Sequence, residues 1–487
     1  MPPSPRPARL APRPLREWRP DAPEVAVSGV THDSRAVRPG DVYAALPGSR
    51  AHGADFAAQA VANGAVAAVS DRAVDGLPTL VLDDPRQVLG DLARWVYGDP
   101  SAAMDVVGVT GTNGKTTTAY LLDAGFAAAG RTTGLVGTVE TRVAGEVLPS
   151  AHTTPEAPDL QALLAVMRER GVTGVGMEVS SHGLALGRVD GTTFAAAVFT
   201  NLSQDHLDFH RDMESYFKAK ASLFTPARSK VAVVNVDDPY GQRLVERTSL
   251  PLVTTSARGA RLADWQARDV ELTRDGATFR VVAPGVDRTV RLRLPAAYNV
   301  ANALGALAAL VSVGIDADAA IAGVERLDGV PGRLERVDRG QPFLAVVDYA
   351  HSPDSVASVL ASLRPLTDGR VIVVLGCGGD RDREKRPLMG EAAARGADLV
   401  VATSDNPRSE DPLAILDAMV AGVRETGTPY VVEPDRAAAI GRAVAEARPG
   451  DVVLVAGKGH EQGQTFAEVT VPFDDRTVLA RALEQRA

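Results

Sequence analysis

A glycine-rich segment followed by a lysine and a run of threonines carries the clearest chemical signal in the sequence. It reads G-V-T-G-T-N-G-K-T-T-T over residues 108–118. A loop of this kind turns backbone N–H groups toward phosphates, while its lysine reaches the terminal phosphates and the next hydroxyl can bind Mg²⁺. Glycine-rich turns also follow strands without forming a nucleotide site, but the adjacent Lys115 and Thr116 favour a site for ATP.

The spacing of the glycines separates this loop from the commonest type of phosphate loop. The strict pattern G-x-x-x-x-G-K-[ST] would need a glycine where the chain has Val109, and the spacing here is G-x-x-G-x-x-G-K-T. A generic P-loop ATPase is therefore not the closest template. The loop residues predicted to contact ATP are Gly111, Thr112, Asn113, Gly114, Lys115, Thr116 and Thr117.

Two further segments place carboxylate and imidazole groups directly after apolar runs. They read E-V-S-S-H-G over residues 178–183 and N-L-S-Q-D-H-L-D-F-H over residues 201–210. A glutamate and a histidine beside a nucleotide are candidate Mg²⁺ ligands, although imidazole is a less usual partner for that ion than oxygen. His206 alone would be a capping or structural residue, but the charged side chains around it favour a functional site that includes Glu178.

Alternating strands and helices must position these segments. The phosphate loop lies between a Val-rich run at 104–109 and a segment at 116–129 whose apolar residues recur at helical spacing. Further apolar runs predict strands at 175–179, 195–200, 231–235, 343–347, 371–375, 398–402 and 452–456. The prediction is an α/β fold with mostly parallel sheets, whose functional residues collect at the carboxyl ends of the strands.

Length and composition predict a multidomain cytoplasmic enzyme. The chain has 487 residues, a net charge of −9, one cysteine (Cys377) and no apolar run long enough for a membrane helix. These properties argue against a nucleic-acid or membrane partner, and we expect a monomer that acts on small molecules. We expect residues 1–20, rich in Pro and Arg, to be disordered. Turn-rich segments predict domains at 1–103, 104–335 and 336–487.

Over nearly its whole length the chain resembles the Mur ligase family, the ATP-dependent amino-acid ligases of peptidoglycan precursor synthesis. Besides the three segments above, the matching motifs are T-T-P at 153–155, Y-N-V-A-N at 298–302, G-R at 332–333 and D-Y-A-H-S-P at 348–353. The resemblance implies an N-terminal domain for a UDP sugar, a central P-loop ATPase domain and a C-terminal Rossmann-like domain for an amino acid. It also implies that ATP phosphorylates a carboxylate of a UDP-muramoyl peptide, after which an amine displaces phosphate to form an amide.

The resemblance assigns further residues to the two nucleotide sites. For ATP it implies that Asn299 or Asn302 contacts adenine, that Arg333 stabilises the developing charge, and that Asp348 and His351 lie near the ribose and phosphates. Segments 31–35 and 48–53 correspond to uridine-binding loops. The residues implied for the UDP-sugar peptide are Ser34, Thr153, Thr154, Ser180 and Arg188.

Lys220 matches the position of a carbamylated lysine in the family. The plainer interpretation, an ordinary surface lysine, fits the nearby Lys218. A carbamate derived from CO₂ would turn a cation into an anionic metal ligand beside Thr116, Glu178 and His206. Because free lysine has a pKa near 10.4, the site must favour the neutral amine, and we attribute that effect to the nearby magnesium.

The C-terminal region carries the predicted specificity. D-N-P-R at 405–408 marks, in the family, the member that adds diaminopimelate, which differs from lysine by one extra carboxylate. A guanidinium binds a carboxylate through two parallel hydrogen bonds, so Arg408 would be left unpaired by lysine. By resemblance Arg386 binds a substrate carboxylate, and Gly457 and Glu461 hold the distal ammonium. The predicted diaminopimelate residues are Arg386, Asp405, Asn406, Pro407, Arg408, Gly457 and Glu461.

Three alternative functions remain. A lysine-adding ligase is the nearest, and D-N-P-R argues against it. Folylpolyglutamate synthase shares the ATPase core but lacks this kind of N-terminal uridine domain. A P-loop switch or motor ATPase would hydrolyse ATP without needing an amino acid and a sugar peptide.

Overall fold

A computed structural model describes residues 5–8, 10–48, 51–148 and 152–486. Within these ranges, the strands form three large sheets that follow one another along the chain, and two small two-stranded ribbons. Helices cover the sheets, which gives the predicted α/β fold with a mostly parallel central sheet. In the described ranges no helix has both the length and the apolar character needed to cross a bilayer.

The N-terminal sheet is small and parallel, in the order β3-β4-β5-β6. Its elements and those beside it are β1 (Arg13–Pro14), β2 (Ala26–Val27), β3 (Gly29–Thr31), β4 (Asp41–Ala45), α1 (Ala57–Ala62), β5 (Ala67–Ser70), β6 (Thr79–Val81) and α2 (Arg86–Tyr97).

The expectation that residues 1–20 are disordered is wrong for residues 10–20; residues 1–4 and 9 lie outside the described residues. β1 pairs with β2, and Leu15 is fully buried. The guanidinium of Arg13 stacks on the ring of Trp95 at 4.2 Å. Composition predicted disorder because it registers the many Pro and Arg residues, but not that one leucine and one stacked arginine anchor the segment.

The central sheet has eleven strands and is parallel in its middle and antiparallel at both ends. The order is β10-β9-β8-β11-β7-β12-β13-β14-β15-β16-β17. The elements are β7 (Asp105–Thr110), α3 (Lys115–Ala128), β8 (Thr133–Val136), β9 (Thr141–Val143), β10 (Glu146–Leu148), α4 (Ala157–Glu169), β11 (Gly174–Glu178), α5 (Ser181–Ala185), β12 (Ala196–Phe199), α6 (Met213–Ala221), β13 (Ala232–Asn235), α7 (Pro239–Val245), β14 (Leu252–Ser256), β15 (Trp265–Thr273), β16 (Gly276–Ala283), β17 (Val286–Leu292), α8 (Ala297–Ser312) and α9 (Ala317–Arg326).

The order of the central strands brings the predicted motifs together. β7 lies between β11 and β12, and both neighbours run parallel to it. The phosphate loop after β7 therefore has segment 178–183 on one side and segment 201–210 on the other. This is the carboxyl edge of a parallel sheet, where ligands bind in such folds.

The C-terminal sheet has the order β18-β19-β23-β20-β21-β22. Its elements and those beside it are β18 (Glu335–Arg336), β19 (Leu344–Asp348), α10 (Pro353–Leu363), β20 (Val371–Leu375), α11 (Lys385–Gly396), β21 (Leu399–Ala402), α12 (Pro412–Arg424), β22 (Tyr430–Val432), α13 (Arg436–Glu446), β23 (Val452–Ala456), β24 (Gly463–Phe466), β25 (Val469–Pro472) and α14 (Asp475–Arg486). β18 begins one residue before the predicted boundary at 335/336 and pairs with β19, so that boundary would cut through a strand.

Candidate active site

A cavity of about 740 Å³ opens at the carboxyl edge of the central sheet. Its wall combines the central motifs with residues of the C-terminal segment. The predicted site residues that line it are Thr112, Asn113, Gly114, Lys115, Thr116, Thr117, Thr153, Glu178, Ser180, His206, Lys220, Asn299, Asn302, Arg333, Asp348 and His351.

The phosphate loop is braced by its own lysine and by Lys220. Lys115 Nζ donates to the carbonyl oxygens of Gly111 and Thr112 at 2.9 and 2.8 Å. Lys220 Nζ, fully buried on α6, donates to the same Gly111 oxygen at 2.8 Å. Two amines thus converge on one carbonyl.

Burial changes the protonation of Lys220. Loss of contact with water lowers the pKa of this amine well below its usual value, and the neighbouring charge of Lys115 lowers it further. Magnesium was expected to favour the neutral form of the Lys220 amine. In the structure the protein itself favours this neutral form, because the amine is desolvated and lies beside a second cation.

The four predicted metal ligands line one cavity, but their side chains have protein partners. Glu178 accepts hydrogen bonds from the backbone N–H and the hydroxyl of Thr138, at 2.8 and 3.1 Å. The hydroxyl of Thr116 accepts from Arg333 at 3.1 Å. Within the described residues, no group of three or more His, Cys, Asp or Glu side chains is arranged to hold a metal. The hydroxyl of Thr116 and the carboxylate of Glu178 are nevertheless oxygen donors of the kind that Mg²⁺ prefers.

Of the four predicted metal ligands, His206 is the least usual for Mg²⁺, because its side chain offers a nitrogen and not an oxygen. Its backbone adopts a φ of +55°, a conformation that non-glycine residues seldom adopt. Its Nε2 lies 3.6 Å from Oδ2 of Asp205. Burial lowers the pKa of the ring to about 4, so the imidazole is neutral at pH 7 and has a nitrogen lone pair to offer.

The predicted adenine side lies at the start of α8. Asn302 Nδ2 donates to Asn299 Oδ1 at 3.1 Å, and Asn299 Nδ2 donates to the carbonyl of Pro295 at 2.6 Å. Asn302 also lies against the phosphate loop, because a Cβ added to Gly114 would lie 2.3 Å from its Oδ1.

Arg333 joins the central and C-terminal parts of the cavity. Its guanidinium donates to Thr116 and lies 4.5 Å from the ring centre of Tyr349. Asp348 accepts hydrogen bonds from the backbone N–H groups of Leu334 and Ala350, at 2.7 and 2.8 Å. Burial raises the pKa of Asp348. This carboxylate therefore fixes the turn that carries Arg333, in addition to any ribose contact.

His351 lies at the start of the next loop of the cavity wall. Its Nδ1 is 2.7 Å from the carbonyl oxygen of Tyr349. That contact fixes the orientation of the ring beside the phosphate loop, where Asn113 Nδ2 lies 3.4 Å from Asp354.

The residues predicted for the sugar peptide fall into two places. Thr153 contacts the hydroxyl of Thr138 at 2.9 Å, and Thr154 donates to Ser180 at 3.1 Å. Ser180 caps α5 by accepting from the N–H of Gly183. Arg188 Nε lies 2.8 Å from a carboxylate oxygen of Glu156, close to this group.

Ser34 is separate from that group. It follows β3 in the N-terminal sheet and donates to the side chain of Gln59 at 2.8 Å. It does not line the central cavity. In the second predicted uridine loop, Ser49 and Arg50 lie outside the described residues.

The predicted diaminopimelate residues meet at the carboxyl ends of β21 and β23. Lys458, buried between the two loops, donates to Asn406 Oδ1 at 3.0 Å and to Glu461 Oε2 at 3.1 Å. Asn406 Nδ2 also donates to Glu461, at 2.9 Å. Gly457 has a φ of +112°, and a Cβ there would lie 2.6 Å from Asp405 Oδ2, so the close approach requires glycine.

The two predicted carboxylate-binding arginines differ in their partners. Both terminal nitrogens of Arg386 donate to Glu410, at 3.2 and 2.8 Å. The hydrogen bond from Arg386 is the main cause that lowers the pKa of Glu410, to about 2. Arg408 instead donates to the carbonyl of Gly379, and the ion pairs that the described residues form here involve Arg383, Arg386 and Lys458 but not Arg408. Arg386 is thus paired with a carboxylate, whereas Arg408 forms no ion pair within the described part of the chain.

Sequence reasoning missed Lys458 and Glu410. Lys458 stood inside the quoted motif G-K-G-H-E, but the resemblance assigned roles only to Gly457 and Glu461. The signal that could have identified it was a lysine in the loop that directly follows the apolar run at 452–456. Cys377 is buried, and burial raises the pKa of its thiol to about 12, so the thiol is protonated at neutral pH.

Comparison with known proteins identifies the family of this fold and site. Residues 26–97 match the family model described as Mur ligase family, catalytic domain, residues 109–310 match the Mur ligase middle domain, and residues 332–459 match the Mur ligase, glutamate ligase domain.

Whole-chain relatives agree with the family models. A Streptomyces avermitilis protein named UDP-N-acetylmuramoyl-L-alanyl-D-glutamate--2,6-diaminopimelate ligase is 58% identical, over 99% of this chain and 98% of its own. A solved structure of a ligase of that name is 35% identical with a TM-score of 0.69, and the alignment covers 98% of this chain and 99% of that one. The MurF ligase of Thermotoga maritima in complex with ADP shares the fold at 21% identity and a TM-score of 0.64, over 95% of this chain and 99% of that one. The chain belongs to the Mur ligase family of ATP-dependent ligases.

Proposed function

We propose that this chain adds 2,6-diaminopimelate to UDP-N-acetylmuramoyl-L-alanyl-D-glutamate, with ATP converted to ADP and phosphate. It would act as a cytoplasmic monomer, with residues 1–103 holding the UDP sugar, 104–334 holding ATP and the residues from β18 onward holding the amino acid. The observation that carries the proposal is Arg408, which forms no ion pair with a carboxylate among the described residues and lies in the loop whose Asn406 contacts Glu461. Diaminopimelate supplies the matching carboxylate and ammonium.

The first half-reaction joins two anions, so cations must offset their charge. A carboxylate oxygen of the dipeptide attacks the terminal phosphorus of ATP, and ADP leaves. Lys115 and Arg333, both in the cavity wall beside Thr116, are placed to neutralise the phosphates. Thr116 and Glu178 would hold Mg²⁺, which when bound supplies further positive charge.

The second half-reaction consumes the acyl phosphate. The amine nitrogen of diaminopimelate attacks the acyl carbon, phosphate leaves and an amide forms. Deprotonation of that amine is required before attack. His206, whose ring is neutral at pH 7, lies in the same wall and is a candidate to accept the proton if it does not hold the metal.

We also propose that Lys220 carries a carbamate. Its amine is fully buried, lies at the phosphate loop and, in the described part of the chain, forms no ion pair with a carboxylate. A neutral amine can react with CO₂, and the resulting anion would lie next to the cation of Lys115. The charge balance around the loop supports the modification.

The specificity of the reaction would come from two adjacent loops. Arg408 would bind the distal carboxylate of diaminopimelate through two parallel hydrogen bonds, and Glu461 would bind the distal ammonium. Lysine offers only the ammonium. A site built for a polar group rejects an analogue that lacks it by about 10⁴ or more.

A competition experiment tests the proposal. The enzyme is incubated with ATP, the UDP-muramoyl dipeptide, a folate and equal amounts of diaminopimelate, lysine and glutamate, and the product is identified by mass spectrometry. We expect the diaminopimelate product alone, with phosphate release that requires both substrates. A lysine product would indicate a lysine-adding ligase, a glutamate product on a folate would indicate folylpolyglutamate synthase, and phosphate release from ATP alone would indicate a switch ATPase.

A further inference from the structure

A fully buried ion pair lies behind the proposed amino-acid site. Arg436, the first residue of α13, and Asp475, the first residue of α14, both have side chains with no solvent exposure. Arg436 Nε and Nη2 each lie 2.7 Å from an oxygen of Asp475, which is the geometry of two parallel hydrogen bonds. No motif in the sequence includes either residue.

The guanidinium of Arg436 also reaches the two loops that carry the specificity residues. Its Nη2 donates to the carbonyl of Ala456 at 2.9 Å, and its Nη1 donates to the carbonyl of Ser404 at 3.4 Å. Ala456 immediately precedes Gly457, and Ser404 immediately precedes Asp405. One side chain therefore holds the start of both loops.

These two loops are not neighbours in the sheet. β20 lies between β21 and β23, so the loop starts are two strand spacings apart, about 9–10 Å. Backbone pairing between adjacent strands does not by itself fix the distance between loops that leave the sheet. The hydrogen bonds from Arg436 span that gap at the start of the two loops, whereas those of Lys458 and Asn406 join the loops farther along.

Stability alone explains this pair poorly. Burying two charges carries a desolvation cost, and an apolar pair of similar volume often gives equal or greater stability. An apolar pair cannot, however, donate hydrogen bonds to two loop carbonyls. The feature that requires an arginine here is the connection between the loops.

We propose that Arg436, held by Asp475, is a positioning residue that sets the distance between segment 404–408 and segment 456–461. The inference rests on the proposed function, because Arg408 on the first segment would bind the distal carboxylate of the amino acid and Glu461 on the second its distal ammonium. The distance between the segments then decides whether Arg408 and Glu461 can bind the two charged groups of one amino acid at the same time.

Two variants test this role. Arg436→Lys keeps the positive charge. Its ammonium group cannot, however, make the two parallel hydrogen bonds to Asp475 and also donate to both loop carbonyl oxygens. The double variant Arg436→Met with Asp475→Leu removes both charges together, so that no unpaired charge remains to unfold the domain. Arg370→Met is the control, since Arg370 pairs with the buried Asp451 in the same domain and donates to the carbonyl of Glu446, but at the opposite ends of β20 and β23. The carboxylate of Asp451 keeps hydrogen bonds from the backbone N–H groups of residues 370 and 448 in this variant.

The measurements are KM for each substrate, the ratio of kcat/KM for diaminopimelate to that for lysine, and amide hydrogen exchange of the two segments. We expect both variants to raise KM for diaminopimelate about tenfold or more, to lower the ratio, and to speed exchange at 404–408 and 456–461. KM for ATP and KM for the dipeptide should stay within about twofold of their wild-type values. The three KM values of Arg370→Met should also stay within about twofold of wild type.

The inference is overturned if the three KM values rise together, if Arg370→Met has the same effect, or if exchange in the two segments is unchanged. If the wild-type enzyme does not incorporate diaminopimelate, the proposed function fails, and hydrogen exchange alone then decides whether Arg436 holds the two segments.

Discussion

Two lysine amines donate to one carbonyl oxygen, that of Gly111. Such an arrangement is unfavourable if both amines are protonated, because like charges in a buried site repel. Burial lowers the pKa of both amines, but that of Lys220 is lowered well below its usual value because the charge of Lys115 adds to the effect, whereas the charge of Glu178 opposes it at Lys115. Lys220 is therefore the amine that gives up its proton more readily. At the scale of single residues, the site thus distinguishes a phosphate-binding cation from a reactive neutral amine.

Lys220→Ala should reduce kcat by about a hundredfold or more, because the proposed carbamate is lost from the catalytic centre. Lys218→Ala is the matched control: Lys218 lies on the same helix but is exposed, and its loss should change kcat by less than about twofold. Steady-state phosphate release gives both values.

Short carboxylic acids added to Lys220→Ala should restore part of the activity by replacing the carbamate anion. Near-normal turnover of Lys220→Ala without any addition would show that the carbamate is not needed. Equal losses in both lysine variants would remove the distinction between the two positions.

At the scale of elements, the residue immediately before α3 must be glycine. Gly114 has a φ of +86°, and a Cβ there would lie 2.3 Å from Asn302 Oδ1. The start of the helix is therefore packed directly against one of the two residues predicted to contact adenine, and the phosphate loop and α8 are coupled.

Gly114→Ala should raise KM for ATP about tenfold or more, because it strains the backbone and displaces Asn302. Gly130→Ala is the control at the other end of α3, with a φ of +76° but no atom within 4 Å of the added Cβ. It should lower the free energy of unfolding by about 1 kcal/mol and leave KM for ATP unchanged. If the two variants have the same KM for ATP, contact with Asn302 has no role in nucleotide binding.

Most buried parallel strands in the middle of the two larger sheets were predictable, but the parallel strands β4, β5 and β8 and the antiparallel strands were not. The seven strands predicted from continuous apolar runs are confirmed to within one residue at each end, as is α3, because buried parallel strands are apolar on both faces. β15, β16 and β17 were missed. β17, for example, alternates buried and exposed residues and contains three charged side chains, so it has no continuous apolar run.

The candidate site was predictable only as far as its motifs extend. Strand order brought the motifs to common edges, as expected for parallel sheets. The partners of the side chains could not be predicted: the pairing of Arg386 with Glu410 and the contact of Arg436 with two loops depend on tertiary packing. The sequence therefore indicated which residues lie close together, but not which charged side chains are already paired within the protein.

At the scale of the whole molecule, His460 joins the C-terminal loops to the central cavity. Its backbone N–H packs against Gly332, and its ring lies 5.1 Å from that of Tyr349. Burial, followed by the charges of Arg333 and Arg476, lowers the pKa of His460 to about 3. The folded protein therefore keeps this ring neutral over the whole neutral to mildly acidic range.

This junction predicts a loss of stability in acid. Below pH 6.5 the unfolded chain takes up a proton on His460 that the folded chain refuses until about pH 3, so the free energy of unfolding should fall as the pH drops through this window. The linkage relation gives a loss of about 1 kcal/mol by pH 5.5 from this residue. Urea denaturation at pH 7.5 and 5.5 measures it. His460→Gln should reduce the difference between the two pH values, and an unchanged difference would contradict the assignment.

The preference of wild-type enzyme and Arg408→Ala for diaminopimelate over lysine tests the account most directly, as a ratio of kcat/KM values. If Arg408 binds the distal carboxylate, its loss should raise KM for diaminopimelate about ten- to a hundredfold and affect lysine much less, so that the ratio narrows. Arg408→Lys should not restore it fully, because an ammonium cannot form the planar pair of bonds. The account is contradicted if the wild-type enzyme uses lysine as well as diaminopimelate, or if Arg408→Ala leaves the ratio unchanged.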